Sequence, residues 1–199
     1  IKFLCPSPGY DRHFAITELF GVEMIVVPMK DDGPDIDMIE NLVSQDETIK
    51  GMWAIPMYSN PTGITYSDEV VRRLACMKTK APDFTIFWDN AYGLHHLYDT
   101  HDRLLNIIEE CRKAGNPNRA YMFGSTSKVT FPGAGVAFMA SSKENIEHVK
   151  KQIAIQTIGY NKINMLLHTR FLKNAANVHE HMKKHAAIIR PKFEAVLEI

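Results

Sequence analysis

Three polar positions in this 199-residue chain each follow a short apolar run: Asn60 after 51–55, Asp89 after 85–88 and Lys128 after 120–124. Asn60 stands in Ser59-Asn60-Pro61-Thr62-Gly63, Asp89 lies three residues before Tyr92, and Lys128 closes Ser125-Thr126-Ser127-Lys128. If the runs are parallel strands, their C-terminal ends share one edge of a sheet, and open α/β sheets bind ligands in the crevice beyond that edge. An acid, a lysine and several hydroxyls gathered there at neutral pH point to carbonyl or amine chemistry. A lysine can form a Schiff base when desolvation or a neighbouring positive charge lowers its pKa. Each feature also has a plainer reading. Asn-Pro-Thr-Gly makes a good turn, an Asp after a strand can cap the next helix, and a loop lysine is usually a solvated charge. Ser-x-Ser-Lys can also be read as a Ser/Lys nucleophile pair.

The elements that must position these residues alternate in type. Apolar runs predict strands over 1–5, 23–27, 51–55, 85–88, 120–124 and 136–140, and amphipathic stretches predict helices over 12–20, 34–43, 67–78, 104–114, 143–156, 162–172 and 178–199. Ser67 reads as an N-cap with Asp68 and Glu69 in the first turn behind it. Gly21 and Gly115 read as helix stops. The pattern predicts an α/β three-layer sandwich with a mostly parallel central sheet. Trp53, Phe84, Phe87 and Trp88 are expected in the sheet core.

Composition narrows the function classes. With 45% hydrophobic and 23% charged residues the chain can bury a core, which excludes disorder and low-complexity roles. The 23 Lys+Arg balance the 23 Asp+Glu, so nothing electrostatic points to nucleic acid or an anionic membrane. No stretch has the roughly 20 apolar residues of a membrane helix. Cys5, Cys76 and Cys111 are too far apart for a zinc knuckle and odd in number, which predicts a reducing, cytoplasmic setting. The chain begins within a predicted strand and ends within a predicted helix, so it reads as an internal fragment of a longer protein.

The ordered set Pro8-x-Tyr10, Asn60-Pro61-x-Gly63, Asp89-x-x-Tyr92 and Ser125-x-Ser127-Lys128 resembles the fold-type I aminotransferases that use pyridoxal 5′-phosphate. The stretches PGYDRHFAI, YSNPTG, FWDNAYGLHHL and GSTSKVTFPGAGVAF are similar to a divergent, aspartate aminotransferase-like subgroup, and the likeness covers essentially the whole chain. The resemblance implies a transaminase moving an amino group between an amino acid, of the aspartate or glutamate type, and a 2-oxo acid. It implies residues 1–177 as part of the cofactor-binding large domain and 178–199 as a long helix leading into a second, small domain. Lys128 is implied to form the Schiff base with the cofactor and to shuttle the proton between Cα and C4′. Asp89 is implied to face the pyridine nitrogen, Asn60 and Tyr92 the phenolic oxygen, and Tyr10 the ring plane. Ser125 and Ser127 are implied to hold the phosphate. A homodimer is implied for the full-length protein, and the 199 residues alone are expected to be inactive.

The family pattern has an arginine about eight residues after the lysine, on the phosphate. Here Lys128 is followed by Val-Thr-Phe-Pro-Gly-Ala-Gly-Val, and the next base is Lys143. Either hydroxyls, backbone N–H groups and an upstream loop hold the phosphate in its place, or affinity for the cofactor is lower than usual. Two other readings keep the same residues: a different pyridoxal-phosphate reaction, β-elimination or decarboxylation, or a cofactor-binding effector domain of a transcription regulator. The histidines at 95, 96, 101, 181 and 185 read as solvated or packed faces, with no metal site expected.

Overall fold

Alternating apolar runs and the small polar residues that cap the stretches between them define the computed structural model, which describes residues 1–199. The chain enters the middle of a sheet as β1 (Lys2–Ser7), crosses through α1 (Asp11–Leu19) to β2 (Glu23–Lys30) and ends that side with the two-residue β3 (Gly33–Pro34). It then returns through α2 (Ile36–Gln45) to β4 (Ile49–Ala54) on the other flank of β1. From there it moves outward through α3 (Asp68–Cys76), β5 (Thr85–Asp89), α4 (Ile107–Lys113), β6 (Ala120–Ser125) and β7 (Ala137–Ala140). The strand order is β3-β2-β1-β4-β5-β6-β7. The five inner strands are parallel, and the edge strands β3 and β7 pair antiparallel. Winding changes direction between β1 and β4, so the C-terminal ends of the parallel strands open onto one crevice. Three helices follow: α5 (Lys143–Gln156), α6 (Lys162–Leu172) and the 23-residue α7 (Ala175–Leu197).

Caps set the helix boundaries. The side chains of Asp35, Ser67, Ser142, Asn161 and Asn174 each accept from the backbone N–H three residues on, and Asn106 accepts from Ile108 and Glu109. This is why the helix predicted from 34 begins at Ile36, the one predicted from 104 begins at Ile107, and the last begins at Ala175 rather than at 178. Pro34, assigned from sequence to a helix, lies instead in β3. The adjoining Gly33 has φ 140°, and a Cβ there would come within 3.1 Å of Val70 Cγ1. No helix is long and apolar enough to cross a membrane.

The main core lies on one face of the sheet. Leu4, Val27, Met52, Ile86 and Trp88 meet Ile39 and Val43 of α2, Val70, Val71 and Leu74 of α3, and Ile107 and Cys111 of α4. Each such large side chain contributes roughly 1.5–3 kcal/mol by leaving water. The alternate positions Phe3, Trp53 and Phe87 point to the other face and form a half-buried aromatic row, with Phe3–Phe87 and Trp53–Phe87 centroids 5.5 and 5.0 Å apart. Trp53 and Phe87 are therefore not in the central core, as their apolar type suggests; only Phe84 and Trp88 of the four are buried there. The three cysteines are free, with Cys5 and Cys111 buried and Cys76 exposed. Arg119, at the start of β6, is buried and donates to the carbonyls of Leu74, Ala75 and Met77 at the end of α3.

Candidate active site

Asp89 ends β5 on the aromatic face, because it follows Trp88 and alternation turns it the other way. Its carboxylate oxygen lies 3.1 Å from His13 Nε2. A carboxylate only accepts, so His13 carries its hydrogen on Nε2 and donates. The His13 ring is fixed on every side. It stacks on Trp53 at 4.3 Å and 12°, and the edge of Tyr10 meets it at 5.4 Å and 83°. Trp53 Nε1–H donates to Thr17 Oγ1 at 2.9 Å, and the Thr17 hydroxyl donates to the His13 carbonyl at 2.7 Å. The sequence reading missed His13. Its signal was the spacing Tyr10-x-x-His13 in the first turn of a helix, which places both rings on one side.

Tyr92 is the shared neighbour of the remaining candidates. Burial raises the Tyr92 phenol above its ordinary pKa; the Asn60 side chain opposes this, and the charges of Asp89 and Tyr10 add to it. The Lys128 amine sits over the same ring, 4.9 Å from its centroid. Lys128 takes part in none of the ion pairs of the fold. Tyr10, Asn60, Asp89 and Lys128, drawn from four separate loops, thus all act on the one Tyr92 side chain, Lys128 from directly over its ring. The loop carrying Asn60 is held under strain: Tyr58 has φ 48°, and its hydroxyl is 2.9 Å from His96 Nδ1.

Ser125 and Ser127 form a pair of their own at the end of the next strand, where Asp89 pairs in register with Phe123. Ser127 N–H donates to Ser125 Oγ at 2.9 Å, and the two hydroxyl oxygens are 2.8 Å apart. With the Ser125 hydroxyl donating to Ser127, the Ser127 O–H remains free to donate outward. The position where an arginine was sought, Val136, is tied by its backbone to Thr126: Val136 N–H donates to Thr126 Oγ1 at 2.8 Å, and Thr126 N–H donates to the Val136 carbonyl at 3.0 Å. Gly135 packs directly on Ser127. No direct contact joins the serine pair to Asp89 or Tyr92.

The donor set can be tested against a group. A carboxylate braced by a histidine suits a basic ring nitrogen, and a lysine without a counter-ion suits an aldehyde. Tyr10 offers an aromatic ring, and the serine pair offers the outward Ser127 hydroxyl to an anion. The buried Asn90 Oδ1, next to Asp89, also lacks a hydrogen-bond partner. These residues fit pyridoxal phosphate.

Comparison with known proteins establishes the family and the fold. The chain matches the aspartate amino-transferase family model over residues 1–199 and belongs to that family, the pyridoxal-phosphate fold-type I aminotransferases. It is 51% identical to an aspartate aminotransferase of Corynebacterium glutamicum, over all of this chain and 46% of that protein. A crystal structure of an aspartate transaminase from that organism superposes with a TM-score of 0.96 at 50% identity, again over the whole chain and 46% of the other. The α-aminoadipate aminotransferase LysN of Thermus thermophilus, solved with N-(5′-phosphopyridoxyl)-L-leucine, superposes with a TM-score of 0.83 at 26% identity, over 99% of this chain and 49% of that one. The chain thus spans about half the length of the curated relatives it matches.

Proposed function

We propose that the full-length protein carrying this chain is a pyridoxal-phosphate-dependent transaminase. It moves an amino group between an amino acid of the aspartate or glutamate type and a 2-oxo acid. The observation that supports this reading is the Lys128 amine over the Tyr92 ring, on whose phenol the charge of the histidine-braced Asp89 also acts. Bound there, pyridoxal phosphate supplies an aldehyde for amines and a protonated aromatic ring that accepts the electron pair left at Cα.

The chain's own residues have separable tasks. Lys128 would hold the aldehyde through its amine, with loss of water, and, once freed by an incoming amine, its Nζ would be the base that takes up and returns the substrate's Cα proton. Asp89 holds a proton on the ring nitrogen through a charge-assisted hydrogen bond, worth roughly 1.5–3 kcal/mol in binding. His13 keeps the carboxylate aimed. Asn60 and Tyr92 would hold the cofactor's phenolic oxygen, and Tyr10 would cover its ring. Ser125 and Ser127 would hold the phosphate in place of the arginine, through the outward Ser127 O–H that Ser125 orients. The dicarboxylic substrate is supported by the aspartate aminotransferase relative.

The same proposal includes a division of the chain and a setting. Residues 1–177 belong to the cofactor-binding domain, and the long helix leads into a second one; this is supported by the length of α7 and by its having only Met182 and Ala186 buried. Exposed Ile163, Leu167 and Phe171 on α6 support a homodimer, and the free cysteines support the cytoplasm.

Borohydride reduction of the full-length protein loaded with pyridoxal phosphate, followed by peptide mapping, is expected to place the pyridoxyl group on Lys128. Label on another lysine, or none, overturns the reading. Amino-group exchange with a 2-oxo acid, without release of ammonia or pyruvate, separates transamination from elimination.

A further inference from the structure

Three consecutive residues, starting with the lysine itself, are each held by a histidine from a different element. His95, in the loop after β5, places Nε2 3.2 Å from the Lys128 carbonyl oxygen. His181 of α7 places Nε2 2.8 Å from the Val129 carbonyl oxygen. His168 of α6 places Nε2 2.7 Å from Thr130 Oγ1. The turn is closed from within by the N–H groups of Val129 and Thr130, which donate to the Thr126 carbonyl at 2.9 and 2.8 Å.

Hydrogen-bond chemistry fixes the proton positions. A carbonyl only accepts, so His95 and His181 must each carry hydrogen on Nε2. His168 Nδ1 lies 2.9 Å from the Asn164 carbonyl, so its hydrogen is on Nδ1; the single Thr130 hydroxyl hydrogen is shared between His168 Nε2 at 2.7 Å and the Thr126 carbonyl at 3.1 Å. A ring placed only to fill space would not need this arrangement. His95 Nδ1 is buried without a partner, an arrangement that has a cost and leaves the Nε2 bond to Lys128 as the ring's directed contact. Burial also keeps His95 below the ordinary histidine pKa; its bond to the Lys128 carbonyl opposes this, and the charges of Lys128 and His185 add to it. It therefore stays neutral beside the amine.

We propose that His95, His181 and His168 form a clamp of positioning residues that fixes the backbone of Lys128–Thr130 and so sets where the Lys128 amine stands. Lys128 is otherwise exposed, and its side chain is flexible, so the position of its Cα is what the fold can control. Through the clamp, α6 and α7 are tied to the two residues that follow the reacting lysine. The inference rests on the reading of Lys128 as the reacting amine.

The test uses the full-length protein and the variants His95→Leu, His95→Gln, His181→Leu and His181→Gln. Glutamine keeps an N–H near the Nε2 place without a titrating ring. The rate at which apo-protein acquires borohydride-trapped pyridoxyl label on Lys128 is expected to fall about ten- to a hundred-fold in the leucine variants. The glutamine variants should regain most of it. In turnover, kcat should fall in the same order while KM for the amino acid moves little. Independently, ¹⁵N side-chain spectra of histidine-labelled protein should show neutral Nε2–H tautomers for His95 and His181 and the Nδ1–H form for His168.

Folded leucine variants labelled at the unmutated rate, or an Nδ1–H tautomer at His95 or His181, overturn the clamp. If the leucine variants do not fold, the glutamine variants and the tautomers decide it. Absence of label on Lys128 in the unmutated protein overturns the transaminase reading instead, and the tautomers then still decide whether the clamp exists.

Discussion

His13 and Asp89 are 76 residues apart in sequence, yet His13 Nε2 donates to the Asp89 carboxylate at 3.1 Å. The donor is the more buried partner, with 9% of its side chain exposed against 28% for the acid, so the histidine is the fixed post and the carboxylate the part that faces a ligand. Asp89→Ala should weaken retention of pyridoxal phosphate by the full-length protein about ten- to a hundred-fold, the value of one hydrogen bond to a charged group. His13→Ala should cost less, because the acid remains but loses its aim. Titration of apo-protein with the cofactor checks both, and unchanged affinity in Asp89→Ala would remove that residue from the site.

Gly135 gives a sharper test of the serine pair. A Cβ at this position would press on the Ser127 hydroxyl and stand 2.9 Å from Ser127 N and 3.0 Å from its Cα. Neither backbone atom can move without disturbing the bond from Ser127 N–H to Ser125 Oγ. Gly135→Ala is expected to lower affinity for pyridoxal phosphate while leaving affinity for pyridoxal, which lacks the phosphate, nearly unchanged. Equal losses for both would mean that the serines do not read the phosphate.

Acid should destabilise the fold through its histidines. His95 and His96 are both held below their ordinary value of 6.5, first by burial and then by neighbouring positive groups. A group with a depressed folded pKa stays neutral in the native state while the unfolded chain takes up the proton, so its contribution is complete above about 6.5 and lost as pH falls toward the folded value. Denaturant unfolding should therefore show stability declining below pH 6.5. In His95→Gln that decline should be shallower. An identical slope in the variant rules out His95 as a source.

Arg119 should matter for folding and not for chemistry. Its guanidinium donates to the carbonyls of Leu74, Ala75 and Met77 at 3.4, 2.9 and 2.8 Å, satisfying the end of α3 from inside the protein. Arg119→Met keeps the volume but removes those donors, although the Ala75 carbonyl keeps the one from Asn116 Nδ2, and is expected to cost about 2–4 kcal/mol in denaturant unfolding. At a temperature where the variant is folded, its turnover should match that of the unmutated protein.

Asn60, Asp89 and Lys128 are readable in sequence because each follows an apolar run, and parallel strands bring such positions to one edge whatever their separation. His13 is not readable in that way. Its role depends on α1 packing over the aromatic row, and alternation alone does not say which face Trp53 and Phe87 occupy when both faces are covered. The two-residue β3 gives no periodic signal, and Pro34 looked like a helix start because Asp35, the actual cap, comes after it. His95 and His181 of the clamp read as packed or solvated rings for a similar reason. Their partners are backbone carbonyls, which carry no mark in a sequence.

The free cysteines bear on how this protein can be observed. Burial pushes the Cys5 and Cys111 thiols up to about 11, which leaves both almost wholly unreactive at neutral pH, while Cys76 is open to water. Within these 199 residues, a maleimide dye should therefore attach at one sulfur. Because α3 runs antiparallel to the strands it connects, its last residue lies at the edge where they begin, away from Lys128. A fluorophore carried there can follow cofactor loading from a distance without disturbing it.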